Sequence, residues 1–111
     1  MATKNRTLGK ELLTSNATIY TTPPRFEANV ESIIVSNASS SSIRFSLDWY
    51  DSQTTTYYTI AEQVVMYPNS VLQLTDGFIL HPNDTLRGLA SVANVITVSV
   101  KVKEEYLTAP Q

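Results

Sequence analysis

Apolar and polar positions alternate over short stretches of this chain, and nowhere do they settle into the period of about 3.6 that marks a helix. Ile43, Phe45, Leu47 and Trp49 fall on one side of an extended segment, with Arg44, Ser46, Asp48 and Tyr50 on the other. This is the period-two signature of a half-buried strand over Ile43–Tyr50. A last strand is expected over Asn94–Glu104, where Ile96, Val98, Val100 and Val102 face one way and Thr97, Ser99, Lys101 and Lys103 the other. Ala17–Thr21 reads as a short strand stopped at Pro23-Pro24, because proline gives no ladder hydrogen bond. Ala28–Asn37 follows, apolar at Ile33, Ile34 and Val35 in succession, which predicts a central strand covered on both faces. A serine run after Asn37 turns the chain. Thr55–Ile60 is a run of β-formers continued by Gln63–Met66. Ser70–Leu74, Phe78–Leu80 and Thr85–Ser91 complete the set, divided by turns at Pro68-Asn69, Asp76-Gly77 and Pro82-Asn83-Asp84. Seven to nine short strands with frequent turns predict an all-β fold, an antiparallel β-sandwich of jelly-roll type.

The beginning of the chain breaks this pattern. It mixes Lys4, Arg6, Lys10 and Glu11 with few apolar groups. A short helix fits only over Thr7–Thr14, and an extended arm fits there equally well. The organisation expected is an N-terminal arm over residues 1–16, a sandwich domain over 17–106 and a loose tail over 107–111. The start has no apolar run of the signal-peptide kind, and no apolar run approaches the roughly 18 residues of a membrane span.

Composition narrows the function. The 111 residues are 42% hydrophobic, enough for one core. Only 16% are charged, against about a quarter in an ordinary soluble domain, and Ser and Thr take the difference. Such a surface suits a β protein whose faces pack on neighbours. The net charge is −2 and the basic residues are scattered, so neither nucleic acid nor a membrane is an expected partner. The chain has no cysteine, which excludes disulfides and thiolate metal sites.

Candidate chemistry is thin. His81 is the one histidine, and no motif places a nucleophile beside it. Asp48, Asp51, Asp76 and Asp84 sit at strand ends or turns. Asp48 and Asp51 are the pair closest to a calcium cluster, but turn capping explains them better. Trp49, Tyr50, Tyr57, Tyr58 and Tyr67 are the aromatic residues from which a sugar-stacking platform would be built. No catalytic, metal or cofactor-binding residue is assigned, and no enzymatic activity is expected. The segment Thr55–Tyr67 carries more apolar side chains than one buried face holds, with Glu62 as its single charge. Tyrosine and methionine are enriched in subunit contacts, so Tyr57, Tyr58, Val65, Met66 and Tyr67 are assigned to one. The competing arrangement is a hairpin that folds these side chains back onto the core.

Two long phrases carry a resemblance: TIYTTPPRFEANVESIIVSNASSSSIRFSLDWYD, then SVLQLTDGFILHPNDTLRGLASVANVITVSVKVKEEY. Over roughly Thr18 to Tyr106 the chain resembles a small β-sandwich family of tailed-bacteriophage virion proteins. In that family a Tyr-Thr-x-Pro turn leads into a strand ending Ile-x-x-Ser-Asn, and a turn containing Ala-Asn precedes a valine-rich final strand. Two departures stand out: Pro23-Pro24-Arg25 replaces the family's Pro-Ala-Gly, and the Thr54–Tyr67 segment is longer and more aromatic. The resemblance implies a non-enzymatic virion component, made in the host cytoplasm and released by lysis. Its expected role is an oligomeric accessory protein on the head or neck, of decoration or collar type. It would form a trimer or another cyclic ring and have other virion proteins as partners. The alternative is a carbohydrate- or host-surface-binding module of a tail tip or fibre.

Overall fold

A computed structural model describes residues 3–74 and 77–107. Asp76 and the tail beyond Leu107 lie outside the described residues. Among the described residues nine strands follow one another: β1 (Thr3–Glu11), β2 (Ala17–Thr21), β3 (Phe26–Asn37), β4 (Ile43–Asp51), β5 (Thr56–Met66), β6 (Val71–Leu74), β7 (Phe78–Leu80), β8 (Thr85–Ala90) and β9 (Ile96–Tyr106). One sheet has the order β1-β9-β3-β6, with β7 also paired to β3; the other has the order β2-β8-β4-β5. Every pairing is antiparallel. With β6 and β7 taken as one interrupted strand, the molecule is an eight-stranded jelly roll.

The core lies between the sheets. Ile96, Val98, Val100 and Val102 of β9 are buried, as are Ile43, Phe45 and Leu47 of β4. Trp49 follows in the same phase and packs on the edge of this core. Strand β3 is central, between β9 and the β6–β7 pair, but it is not covered on both faces. Its register shifts between Val30 and Ser32. The bulge at Glu31 puts Ile33 and Val35 into the core, and Ile34 points outward, 37% exposed. Gly77 sits over this bulge, where a Cβ would meet the Val30 carbonyl oxygen at 2.8 Å, so no larger residue fits at position 77 without a shift.

The start of the chain is a strand and not a helix. β1 pairs with β9 along its whole length, from Thr3 opposite Glu105 to Glu11 opposite Thr97. Its alternation is hidden because the inward positions are Arg6, Leu8 and Lys10 before the fully buried Leu12. The segment expected as an arm is therefore an edge of the sheet.

The turn at Pro23-Pro24-Arg25 is also resolved. The Phe26 N–H donates to the Pro23 carbonyl at 3.1 Å, and Arg25 has φ 67°. Proline at the second position and a positive φ at the third make a type II turn. Arg25 thus takes a left-handed conformation that favours glycine at this position of the turn.

Candidate functional site

Strand β5 forms one edge of its sheet, and β6 and β7 form the edge of the other on the same side of the sandwich. Two register shifts against β4 shape β5, one between Phe45 and Leu47 and one between Leu47 and Asp48. In each, β5 has one residue more than its partner. Two extra residues restore the original phase, so Tyr58 and Met66 both face the interior while Tyr57 and Val65 face out. Bulges twist and bend an edge away from its partner. Here the sheets part, leaving an apolar groove of about 600 Å³. Trp49, Ile60 and Val64 line it from one sheet and Ile33, Leu72 and Phe78 from the other.

The five residues assigned to a subunit contact divide. Tyr57, Tyr58, Val65 and Tyr67 are exposed, Tyr67 most of all at 70%. Met66 is a correction. It is buried in the core opposite Ile43, because the paired bulges return it to the inner face, and it is not free to touch another subunit. The exposed apolar surface extends beyond the assigned set to Val71, 68% exposed, and Ile79. Their exposure follows from sheet order, which places β6 and β7 at the margin.

The aromatic side chains do not converge on one surface. Tyr58 stacks on Trp49 at 5.1 Å between centroids, on the inner side. Tyr57 meets Tyr50 at 4.8 Å on the outer side. The Arg87 guanidinium lies 3.5 Å above the Tyr57 ring and donates to both Asp48 oxygens, at 2.7 and 3.1 Å. The Asp48 carboxylate favours the charged guanidinium and raises its pKa. Tyr67 follows the last residue of β5, at the far end from Tyr57 and Tyr58.

The acidic candidates have structural partners. Asp51 accepts from the Gln53 N–H at 3.0 Å. Asp84 is fully buried and accepts from the backbone N–H of Ser52 and of His81, each at 2.9 Å, and from the Ser52 hydroxyl. It joins the β4–β5 turn to the β7–β8 turn. The His81 ring is half exposed, with Nδ1 3.9 Å from Asp84. Among the described residues no group of three or more His, Asp or Glu is placed to hold a metal ion.

One buried group went unnoticed in the sequence. Glu104 is 1% exposed and sits in phase with the inward series Ile96 to Val102, the signal that could have found it. Its carboxylate accepts from the Tyr20 hydroxyl and from Arg6 at 3.2 Å. Burial first, and then the bond to Glu104, push the Tyr20 phenol well above its ordinary value of 10.0. This cluster ties β9 to β1 in its own sheet and to β2 in the other.

No family model and no curated protein matches the chain. Solved structures do. A protein of the disulfide-linked pili of Bacillus endospore appendages aligns over 96% of this chain and 88% of its own, with 14% identity and a TM-score of 0.57. A protein of the IBDV viral particle aligns over 96% of this chain but 36% of its own, with 7% identity and a TM-score of 0.55. A pentameric capsid protein from metagenomic phage sequences is more distant, at 18% identity over 94% of this chain and 67% of its own, and its TM-score of 0.42 carries no weight. The first two likenesses are of fold alone. The disulfide linkage named for the pili has no counterpart here, since this chain has no cysteine.

Proposed function

We propose that this protein is a non-enzymatic structural component of a tailed-phage virion, an oligomeric accessory protein on the head or neck. The observation that carries the reading is the open apolar edge between β5 and the β6–β7 pair. A jelly roll this small gains nothing in solution from exposing Tyr58, Tyr67, Val71 and Ile79 on and beside its edge strands and leaving an apolar groove open between the sheets. Exposed apolar patches of this kind mark contact sites, and covering a sheet edge is what assembly offers a β protein. The fold shared with components of a viral particle and of a pilus supports a building role, as does the resemblance of its phrases to tailed-phage virion proteins. Tyr57, Tyr58, Val65 and Tyr67 are the contact residues of this reading, with Met66 removed from the set.

The test is to locate the protein in particles. Gold-labelled antibody against the purified protein should decorate the head or neck of intact virions. Label confined to the tail tip would move the protein to the host-binding class, and particles without label would overturn the reading.

A further inference from the structure

Ten large apolar side chains are exposed among the described residues, and six of them, Tyr57, Tyr58, Val65, Tyr67, Val71 and Ile79, lie on or next to the edge strands β5, β6 and β7, Ile79 on the lining of the groove itself. Ile34 extends the set, since its register partner on β6 lies two residues from Val71. The opposite edge, β1, has no exposed large apolar side chain. It carries Lys4, Arg6, Lys10 and Glu11.

We propose that the β5/β6–β7 edge docks on the same edge of a second copy of this chain, about a two-fold axis, so that each copy closes the other's groove. The proposal rests on the reading of the protein as an oligomeric component and names the partner of that surface.

Charge selects the occupant. Over the described residues from Thr56 to Leu80 the one charged side chain is Glu62, which lies with Asp48 and Thr59 on the outer side of its sheet, away from the groove. The face that covers the groove must itself be nearly free of charge, because charges desolvated against apolar surface go unpaired. Among the described residues the β5/β6–β7 margin is such an edge, whereas the opposite margin, β1 beside the uncharged β2, carries the charges of β1. A ring of three or more copies joins two different faces head to tail. The other margin available to such a ring is β1 with β2, where the lysines and arginine of β1 would be stripped of water against Trp49, Leu72 and Phe78. The trimer or cyclic ring expected from the sequence is therefore disfavoured at this surface, and an isologous pair is favoured.

Area agrees. Strand β5 has eleven residues and spans about 36 Å at roughly 3.3 Å per residue. With a sandwich 20 Å across its shortest dimension, the edge offers on the order of 700 Å² per copy, close to the roughly 800 Å² per partner of a stable interface. The two bulges in β5 interrupt any ladder that would run from copy to copy, so the contact is made by side chains meeting over the grooves.

Sedimentation of the full chain at micromolar concentration should give twice the monomer mass. Val65→Lys with Val71→Lys, both at exposed positions, should weaken the dimer at least tenfold with the circular dichroism spectrum unchanged. Lys4→Glu with Lys10→Glu should leave it intact. If the lysine variant misfolds, single cysteines decide, because the chain has none of its own. Ile79→Cys, on the lining of the groove, should form a disulfide-linked dimer on oxidation, and Lys4→Cys should not. A stable monomer, a species of three or more copies, or cross-linking through position 4 and not 79 would overturn the proposal. A dimer with no label on particles would leave this proposal standing and sink the virion reading, and labelled particles built from monomers would do the reverse.

Discussion

At the β1 edge of the sandwich, the side chains turned inward are Arg6, Leu8 and Lys10, and the strand is fastened by Arg6 to the buried carboxylate of Glu104. At the β5 edge they are Tyr58, Val64 and Met66, and the groove beside them stays open. The first edge is closed by polar bonds within one chain. The second is apolar and unfinished. The difference separates folding from assembly: changes at β1 should register in the stability of a single copy, and changes at β5 in the association of copies.

The strongest test of that division removes the partners of Glu104. Arg6→Ala with Tyr20→Phe leaves a buried carboxylate without its hydrogen bonds, which should cost about 3–5 kcal/mol of unfolding free energy. Denaturant titration measures it. Arg6→Ala alone should cost far less, about 1 kcal/mol or under, because the guanidinium is largely in water and its pairing is screened. A double-variant loss below about 1 kcal/mol would mean that β1 is not held by this cluster.

Next in size is a pH effect at the same edge. The Tyr20 phenol is raised in the folded state above its ordinary value of 10.0. A raised value means that the folded state keeps a proton which the unfolded chain releases. The contribution is thus full below about pH 10 and is lost as pH climbs from there towards the folded-state value. Unfolding free energy should fall more steeply for the wild type than for Tyr20→Phe between about pH 9 and pH 11. Parallel curves would remove Tyr20 from the account.

The smallest effect belongs to the other edge. Tyr67→Ser alters a side chain 70% exposed, and the stability of one copy should change by no more than about 0.5 kcal/mol. A loss above about 1.5 kcal/mol in a chain held monomeric would place Tyr67 in the fold and blur the contrast between edges.

Much of this architecture could be read from alternation alone. β2 and β7 begin and end where turn residues said they would, and β4 and β9 present the expected core. What alternation missed has specific causes. β1 has one inward apolar side chain, Leu8, between Arg6 and Lys10, so its period carried no hydrophobic signal. Ile33-Ile34-Val35 looked doubly buried because apolar residues also occupy exposed surface, and the bulge that sets their phase is a property of pairing. At the candidate site, the exposure of Tyr57, Tyr58, Val65 and Tyr67 was legible in an apolar run with one charge. Met66 was misplaced because the phase of β5 is reset twice within the run. The groove was invisible, since it depends on β6 and β7 lying opposite β5 in the other sheet.

The two extra residues of β5 have a consequence for how this chain can change over generations. Each shifts the inside–outside reading frame of the strand by one, and together they cancel. A deletion that removed either alone would exchange Tyr57 with Tyr58 and carry the outer arrangement over Tyr50 and Arg87 into the groove. Insertions and deletions between Ile60 and Gln63 should therefore be inherited in compensating pairs.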